Sequence, residues 1–343
     1  MNLPSVAVVV LNYNTSHLLK QFLPSITATT YHKVRLIVAD NGSNDNSEDI
    51  VKQFDKVEWM PLGINHGYAE GYNIALNQIE ADYYVLLNSD VEVTPNWLEP
   101  LLEYSMANAD FVALQPKIKS FHNKEYFEYA GAAGGFLDKL GYPYCRGRIF
   151  DICEKDEGQY DNPIDIFWAS GAALFIKSEA YKAVGGLDKR LFAHMEEIDL
   201  CWRLKLMGYK IACVPQSVVY HVGGGTLSAQ NSRKTYLNFR NSLVLLARYN
   251  QGFVAFFKVI LRMILDAPAA LLYLLKGRPS DVWAIAKAHW NFILNLNYWT
   301  KNKLNPIKIA QKSLTGNALN SIAYSYYVKG HKKFSNLSNT KTE

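Results

Sequence analysis

Short polar runs that follow apolar segments hold the residues best suited to chemistry. Asn88, Ser89 and Asp90 form one such run. A carboxylate at this position can bind a hard divalent cation, because Mg²⁺ and Mn²⁺ prefer oxygen ligands and often share them with substrate phosphates. A simple turn after a strand is the structural alternative, since one carboxylate alone makes a weak metal site.

Three acidic residues, Glu196, Glu197 and Asp199, open a predicted helix. The helix dipole favours acids there for purely structural reasons. The same dipole is expected to keep a carboxylate ionised at neutral pH, as a general base requires. Asp199 and Arg203 are four residues apart and should pair, which leaves Glu196 and Glu197 to face a cleft.

Three more side chains have both a functional and a structural interpretation. Asp40 can accept a hydrogen bond from a pyrimidine imide or a ribose hydroxyl, or it can cap a helix in an Asx turn. Tyr13 can stack on a base or be an ordinary rim aromatic. His221 precedes glycines 223–225 and can bind a metal or a phosphate, or flank a flexible linker. The chain has neither a GxGxxG run after its first strand nor a GxxxxGK[ST] run, which argues against a nicotinamide site and a P-loop.

Apolar strands alternating with helices would position these side chains. Apolar runs at 6–11 and 83–87, and a mainly apolar run at 34–39, predict buried strands, each followed by a polar cluster. Strands that alternate with helical patterns favour βαβ units and a parallel sheet. Ligands of such sheets bind outside the carboxyl ends of the strands, so three polar clusters at those ends predict one site.

The composition limits the class of protein. A chain of 343 residues, 49% apolar and 20% charged, is neither disordered nor collagen-like and is long enough for two domains. Four cysteines without a CxxC pair disfavour a disulfide scaffold or zinc ribbon. The first residues lack the pattern of a secretory signal, so we expect a cytoplasmic protein. Residues 121–163 are weakly periodic and are expected to be irregular and partly mobile.

The last third of the chain differs from the rest in charge. From residue 248 onward, fourteen Lys and Arg face three acids, a net charge of +11, against −6 for the preceding residues. Residues 253–275 are strongly apolar, but Lys258, Arg262 and Asp266 form one charged stripe, which argues against a transmembrane span. The stripe favours a helix lying in the membrane interface; a buried helix or a dimer contact is the alternative. Because no nucleic-acid-binding motif accompanies the charge, anionic lipid is the expected partner. Aromatic residues that could anchor this region follow at Trp283, Trp290, Tyr298 and Trp299.

Eight stretches together resemble family 2 glycosyltransferases of the GT-A fold, particularly their rhamnosyltransferase-like bacterial branch. They are 8–14 (VVVLNYN), 38–43 (VADNGS), 67–73 (GYAEGYN), 86–91 (LLNSDV), 170–172 (SGA), 185–188 (GGLD), 195–203 (MEEIDLCWR) and 221–224 (HVGG). The resemblance covers roughly residues 4–225. It implies an α/β, Rossmann-like fold with a predominantly parallel central sheet and a C-terminal helical extension.

The resemblance also implies an activity, the inverting transfer of a sugar from a nucleoside diphosphate, most readily UDP or dTDP, to an acceptor hydroxyl. Asp90 would bind Mg²⁺ or Mn²⁺, with His221 as a second ligand, and Asn88 stands where the family has an acid. Glu197 occupies the base position, where the family usually has Asp, and Glu196 is its neighbour. The nucleotide-sugar residues would be Asn12, Tyr13, Asn14, Asp40, Asn41, Gly67, Asn73, Asn88, Ser89 and Gly171.

These expectations divide the chain into a catalytic domain at 1–225, a connector at 226–250 and an amphipathic helical extension at 251–343. The acceptor would be a glycan or a lipid-linked sugar, used in cell-surface polysaccharide or glycolipid assembly at the inner face of a bacterial plasma membrane. Two other functions compete: a sugar nucleotidyltransferase, which usually has an early Gly-rich loop that is missing here, and a non-catalytic nucleotide-sugar-binding protein.

Overall fold

The computed structural model describes residues 3–223, 231–301, 314–316 and 319–337. The strands are β1 (Val6–Asn12), β2 (Val34–Asp40), β3 (Val57–Pro61), β4 (Tyr83–Asn88), β5 (Val91–Val93), β6 (Phe111–Ser120), β7 (Gly135–Leu137), β8 (Pro143–Cys145), β9 (Arg148–Ile149), β10 (Ile152–Cys153), β11 (Ile164–Asp165), β12 (Ala173–Lys177) and β13 (Lys210–His221). The helices are α1 (Ser16–Thr27), α2 (Ser47–Val51), α3 (Gly67–Leu76), α4 (Leu98–Ala107), α5 (Ser178–Ala183), α6 (Glu196–Leu206), α7 (Ser232–Tyr249), α8 (Gly252–Leu275), α9 (Pro279–Leu294), α10 (Leu296–Thr300) and α11 (Ile322–Tyr327). Two short 3-10 helices lie at Lys189–Leu191 and Phe334–Asn336.

A nine-stranded sheet runs through the described residues in the order β11-β13-β6-β12-β4-β1-β2-β3, with β5 also paired to β13. Strands β4, β1, β2 and β3 are mutually parallel, and β12 enters antiparallel between β4 and β6. The predicted α/β fold with a mostly parallel sheet is therefore confirmed. Asn12 lies opposite Asp40, and Leu11 lies opposite Asn88, so the three polar strand ends meet at one end of the sheet.

Helices cover both faces of this sheet. Successive side chains of a strand point to opposite faces, so a continuous apolar run such as β1 needs cover on both. Val8 and Val10 pack in a cluster with Leu19 of α1 and other residues of α1, α2 and α4. Val9 packs in a second cluster that includes Tyr72 of α3 and residues of α5 and α6.

The stretch at 121–163 is more ordered than the sequence predicts. Strands β7–β10 form a four-stranded antiparallel sheet, whose Phe136 and Tyr144 are almost fully buried. The chain returns at its C-terminal end to cover this small sheet: the Phe334 ring lies 5.1 Å from that of Phe136, and Asp138 accepts the N–H of Ile322 at 2.8 Å. Partners more than 170 residues away supply the order, which local periodicity cannot indicate.

The expected connector at 226–250 contains a long helix. α7 has eighteen residues, eleven of them buried, and its Leu243, Val244 and Leu246 pack against α8, α9 and α10. An 18-residue helix with this much buried surface belongs to the folded core. Residues 224–230, which include Gly224 and Gly225 of the predicted glycine run, lie outside the described residues.

α8 turns its charged stripe toward the protein. Arg262 and Asp266 are 5% and 1% exposed and pair at 3.0 Å. His289 of α9 contacts Asp266 at 3.0 Å, and the Arg262 guanidinium lies 3.5 Å from the Tyr142 ring centre. The apolar side consequently faces outward. Among the described residues, no helix combines the length and hydropathy that crossing a bilayer requires. The exposed apolar side chains of α8 and of the adjoining α9 include Phe253, Phe256, Phe257, Ile264, Leu271, Leu275, Trp283, Trp290 and Leu294.

Candidate active site

The ends of β1 and β2 are joined by the side chain of Asn12, which is fully buried. Its amide nitrogen donates to Asp40 Oδ1 at 2.8 Å and to Ser43 Oγ at 3.0 Å. Its oxygen accepts from Thr15 Oγ1 at 2.6 Å. Because these bonds use both polar atoms of Asn12 inside the protein, its side chain serves to hold Asp40 in place. Sequence reasoning missed Thr15, which looks like an ordinary turn residue.

Asp40 is 5% exposed and accepts the N–H of Ser43 at 3.0 Å, so the Asx-type turn foreseen as an alternative does form. At the neighbouring strand end the Tyr13 ring is 42% exposed. The backbone beside it is fixed, since Asn14 has φ +52° and accepts the N–H of Asn44 at 2.8 Å. An exposed ring on a fixed backbone beside a buried carboxylate can stack on a base while the carboxylate accepts a hydrogen bond.

Asn41 links the end of β2 to the start of α3. Its amide donates to the Gly67 carbonyl at 3.0 Å and accepts the N–H of His66 at 2.9 Å. Gly67 has φ +80°, and a Cβ there would lie 2.7 Å from the Phe192 ring. The next two amides of α3 donate to the Phe192 carbonyl at 3.1 and 3.3 Å. The start of α3 is therefore bound by the protein's own chain.

Asn73 of α3, one of the predicted nucleotide-sugar residues, uses its side chain to contact Leu187 and Tyr181. Its amide donates to the Leu187 carbonyl at 2.8 Å, and its oxygen accepts the N–H of Leu187 and the Tyr181 hydroxyl. These bonds fix the loop at 185–188. The family resemblance placed Asn73 at the site, but only tertiary packing reveals which way its amide turns.

Asp90 and His221 form a buried pair with Glu128. The His221 Nε2 atom lies 3.1 Å from Asp90 Oδ1, and Nδ1 lies 3.1 Å from Glu128 Oε2. Burial lowers the pKa of His221, but the two carboxylates outweigh it and raise that pKa to about 10. Sequence reasoning missed Glu128, which sits in a weakly patterned stretch and meets His221 only through pairing of β6 with β13.

Lys234 is a second residue that the sequence did not reveal. It stands in the first turn of α7 and is half-buried, and burial lowers its pKa although Asp90 and Glu128 act to raise it. The same lysine, together with burial, lowers the pKa of His194 to about 4. A cation thus lies within electrostatic reach of the Asp90 pair.

Glu196 and Glu197 begin α6 directly after Met195, which has φ +72°. The Oε2 atom of each glutamate is buried without a hydrogen-bond partner in the described structure. Burial raises the pKa of Glu197 to about 7 and the pKa of Glu196 further, with repulsion between the two adding to the latter. The helix N-terminus does favour the ionised form, but burial outweighs it, contrary to the sequence expectation. The predicted Asp199–Arg203 pair forms at 2.8 Å.

Tyr68 connects the glutamates to the strand ends. Its hydroxyl donates to the Gly171 carbonyl at 2.8 Å, and a Cβ on Gly171 would lie 2.7 Å from the Tyr68 hydroxyl oxygen. The charges of Glu196 and Glu197 act on Tyr68, and burial raises its pKa. The next residue, Ala172, accepts the N–H of Asn88 at 3.0 Å, while Ser89 accepts from Thr15 Oγ1 at 3.2 Å.

The arrangement thus combines three groups of side chains. An exposed ring lies next to a buried carboxylate, a carboxylate–imidazole pair lies near a lysine, and a buried glutamate pair adjoins the same strand ends. Such parts at the carboxyl end of a sheet suit an enzyme that performs acid–base chemistry on a bound substrate.

The family described as glycosyl transferase family 2 matches residues 7–176. An N-acetylglucosaminyl-diphospho-decaprenol L-rhamnosyltransferase of Mycobacterium tuberculosis is 26% identical over 266 residues, 73% of this chain and 85% of that protein. Rhamnosyltransferase WbbL of Escherichia coli is 22% identical over 227 residues, which cover 63% of this chain and 83% of WbbL. The crystal structure of GalNAc-T7 with UDP, GalNAc and Mn²⁺ matches with a TM-score of 0.59 at 15% identity, over 87% of this chain and 58% of that one.

The chain belongs to glycosyltransferase family 2, in its rhamnosyltransferase-like branch, and is a glycosyltransferase. The alternatives of a nucleotidyltransferase and of a non-catalytic binding protein are not favoured.

Proposed function

We propose that this glycosyltransferase moves a sugar, with inversion, from a UDP- or dTDP-sugar to a hydroxyl of a lipid-linked or glycan acceptor. The observation that carries the proposal is the half-buried Glu197, whose Oε2 atom has no hydrogen-bond partner among the described residues and whose pKa of about 7 suits a general base. Glu197 takes the proton of the acceptor hydroxyl as that oxygen attacks the anomeric carbon and the bond to the diphosphate breaks. The relative that acts on a diphospho-decaprenol acceptor supports a lipid-linked substrate.

The nucleoside end of the donor is assigned to Tyr13 and Asp40. Tyr13 would stack on the base, and Asp40 would accept from the imide N–H or a ribose hydroxyl while Asn12 holds it in place. Asn14 and Asn41 fix the two loops that carry these side chains. Because both loops are bonded to one another, donor binding needs little rearrangement of the strand ends.

A divalent cation, Mg²⁺ or Mn²⁺, fits the pair formed by Asp90 and His221. Among the described residues, no group of three or more His, Cys, Asp or Glu side chains is arranged as a metal cage. Asp90 offers a carboxylate, and His221 Nε2, which lies 3.1 Å from it, becomes a second ligand when the cation displaces its proton. A cation shared with the substrate takes its other ligands from phosphate. When bound, it would neutralise charge on the departing diphosphate. Lys234 would add a positive charge to the same region.

Two experiments test this assignment. The full chain is incubated with a panel of UDP-, dTDP- and GDP-sugars and a lipid-linked acceptor, and release of nucleoside diphosphate is measured with and without a chelator. Glu197→Gln should lower turnover by at least ~10²-fold with little change in donor affinity, whereas Glu103→Gln, at an exposed site on α4, should match wild type. Turnover that survives in Glu197→Gln, or no release with any donor, contradicts the proposal.

We also propose that the apolar side of α8 and α9 docks on an anionic membrane surface, at the inner face of a bacterial plasma membrane. The outward side chains include Phe253, Phe256, Trp283 and Trp290, each more than 60% exposed. Residues 251–301 contain six Lys and Arg against two Asp, and both Asp side chains are paired internally. The charge left over, together with the apolar side, suits anionic headgroups.

Vesicle co-sedimentation of the full chain tests the docking. Phe256→Asp should abolish binding to phosphatidylglycerol vesicles, while Met106→Asp, at an equally exposed apolar site on α4, should not change it. Equal binding by the two variants would place the contact elsewhere.

A further inference from the structure

The loop that delivers the glutamate pair adopts a backbone that needs external support. Phe192, His194 and Met195 have φ of +67°, +65° and +72°, in the left-handed region that side chains other than glycine rarely adopt. Such a backbone persists only where the surrounding structure holds it, and it clusters at functional sites. Glu196 follows at once, so the direction of both glutamates depends on these three residues.

Asn241 of α7 supplies that support. Its side chain is fully buried, and its amide nitrogen lies 3.2, 3.1 and 2.7 Å from the carbonyl oxygens of Leu191, Ala193 and His194. One NH₂ group thus meets three carbonyls of a four-residue stretch. Elsewhere in this stretch, the Phe192 carbonyl accepts from the first turn of α3.

Arg240 fixes the orientation of that amide. Its Nε donates to Asn241 Oδ1 at 2.9 Å, and its Nη2 donates to the Leu191 carbonyl at 3.0 Å. Because Oδ1 accepts from the guanidinium, the NH₂ group of Asn241 must face the loop. Packing against Trp299, whose ring centre lies 4.7 Å away, holds the guanidinium itself.

We propose that Asn241, oriented by Arg240, is a positioning residue that holds the loop at 191–195 so that Glu197 faces the acceptor. This rests on the proposed function, in which Glu197 is the base. It makes α7 part of the catalytic unit, and it separates donor binding, which depends on the strand ends, from turnover, which depends on the clamp formed by Arg240 and Asn241.

The test uses Asn241→Leu and Asn241→Asp in the full chain, both of which remove the donors at nearly constant size. Agreement between them excludes an effect of the new charge. The matched control is Ser242→Ala, because Ser242 is the next buried residue of α7 and its hydroxyl bonds within the helix, to the Asn238 carbonyl at 2.7 Å. We expect kcat to fall at least ~10-fold in both Asn241 variants while the donor Kd changes less than ~2-fold.

Two further readouts distinguish positioning from a general loss of structure. Hydrogen–deuterium exchange in the peptide spanning 190–200 should rise in the Asn241 variants and not in Ser242→Ala. The pH midpoint of kcat in Asn241→Leu should fall from about 7 toward the ordinary glutamate value of 4.5, because a loosened loop lets water reach Glu197. If the Asn241 variants do not fold, Arg240→Lys is the deciding variant. It should change kcat, the exchange at 190–200 and the pH midpoint in the same directions but by smaller amounts.

Wild-type kcat and exchange in the Asn241 variants would overturn the proposal, as would a loss of kcat matched by an equal loss of donor binding. Glu197→Gln is measured in parallel. If it keeps its turnover, the assignment of the base fails, and the exchange data still decide whether Asn241 holds the loop.

Discussion

Replacing Glu197 with glutamine should stabilise the folded protein while abolishing turnover. Burial raises the pKa of this carboxyl to about 7, from an ordinary 4.5, and its Oε2 atom has no hydrogen-bond partner in the described structure. A raised pKa in the folded state contributes stability that is fully present below the unfolded value and is lost as pH rises through the folded value. Above pH ~7, ionised Glu197 therefore destabilises the wild type, and glutamine removes that cost.

The magnitude follows from the two pKa values. Their difference of about 2.5, at ~1.36 kcal/mol per pH unit, corresponds to about 3 kcal/mol once the carboxylate is fully ionised. Linkage spreads this cost over the interval between the two values. The variant should therefore exceed the wild type by about 1 kcal/mol at pH 5 and by about 3 kcal/mol at pH 8.

Urea unfolding at several pH values, followed by tryptophan fluorescence, measures this difference. Glu103→Gln, at an exposed position on α4, is the control and should differ from wild type by a small amount that does not change with pH. If Glu197→Gln is no more stable than wild type at pH 8, burial does not govern the ionisation of Glu197. The claim that burial sets the pKa of the catalytic base would then be wrong, even if turnover is lost.

Three further outcomes follow from the site. In the wild type, kcat should rise with pH through about 7 as Glu197 ionises, and a profile that is flat from pH 5.5 to 8.5 would contradict this. Asp90→Asn should weaken Mn²⁺ binding in the presence of UDP by at least ~10-fold, measured by calorimetry, because it removes the carboxylate next to His221. Asp40→Ala should weaken binding of the nucleoside diphosphate by about 1.5–3 kcal/mol in the same assay, and unchanged affinity would reduce Asp40 to a turn residue.

The sequence predicts the parts of the site that follow from regular structure. Buried strands that alternate with helices place Asn12, Asp40 and Asn88 at the same end of a parallel sheet, and their pairing requires no knowledge of side-chain contacts. The glutamates open α6 as predicted. The acids of the first turn, the helical period and the stop at Gly208, which has φ +87°, all indicate the same helix.

The sequence does not reveal which residues orient these groups. Glu128 meets His221, and Asn241 meets the loop before Glu196, only because distant segments pack together. Neither Glu128 nor Asn241 belongs to a sequence motif or a periodic pattern that would mark it as functional. Asn73 shows the converse, since the family resemblance implied a ligand contact while its amide holds the loop beside Leu187. Long-range packing decides such orientations, and local pattern does not carry that information.

α8 shows that a helical period does not determine which side of a helix faces the protein. Lys258, Arg262 and Asp266 recur every four residues, so they must share one side, but the period is the same whether that side faces water or protein. Partners decide: Arg262 and Asp266 pair with each other, and His289 completes the cluster, so the charges are buried at tolerable cost. The apolar side is then left without cover among the described residues. Docking on a membrane would therefore depend on apolar burial, with exposed lysines such as Lys287 adding attraction, and high salt should weaken binding without abolishing it.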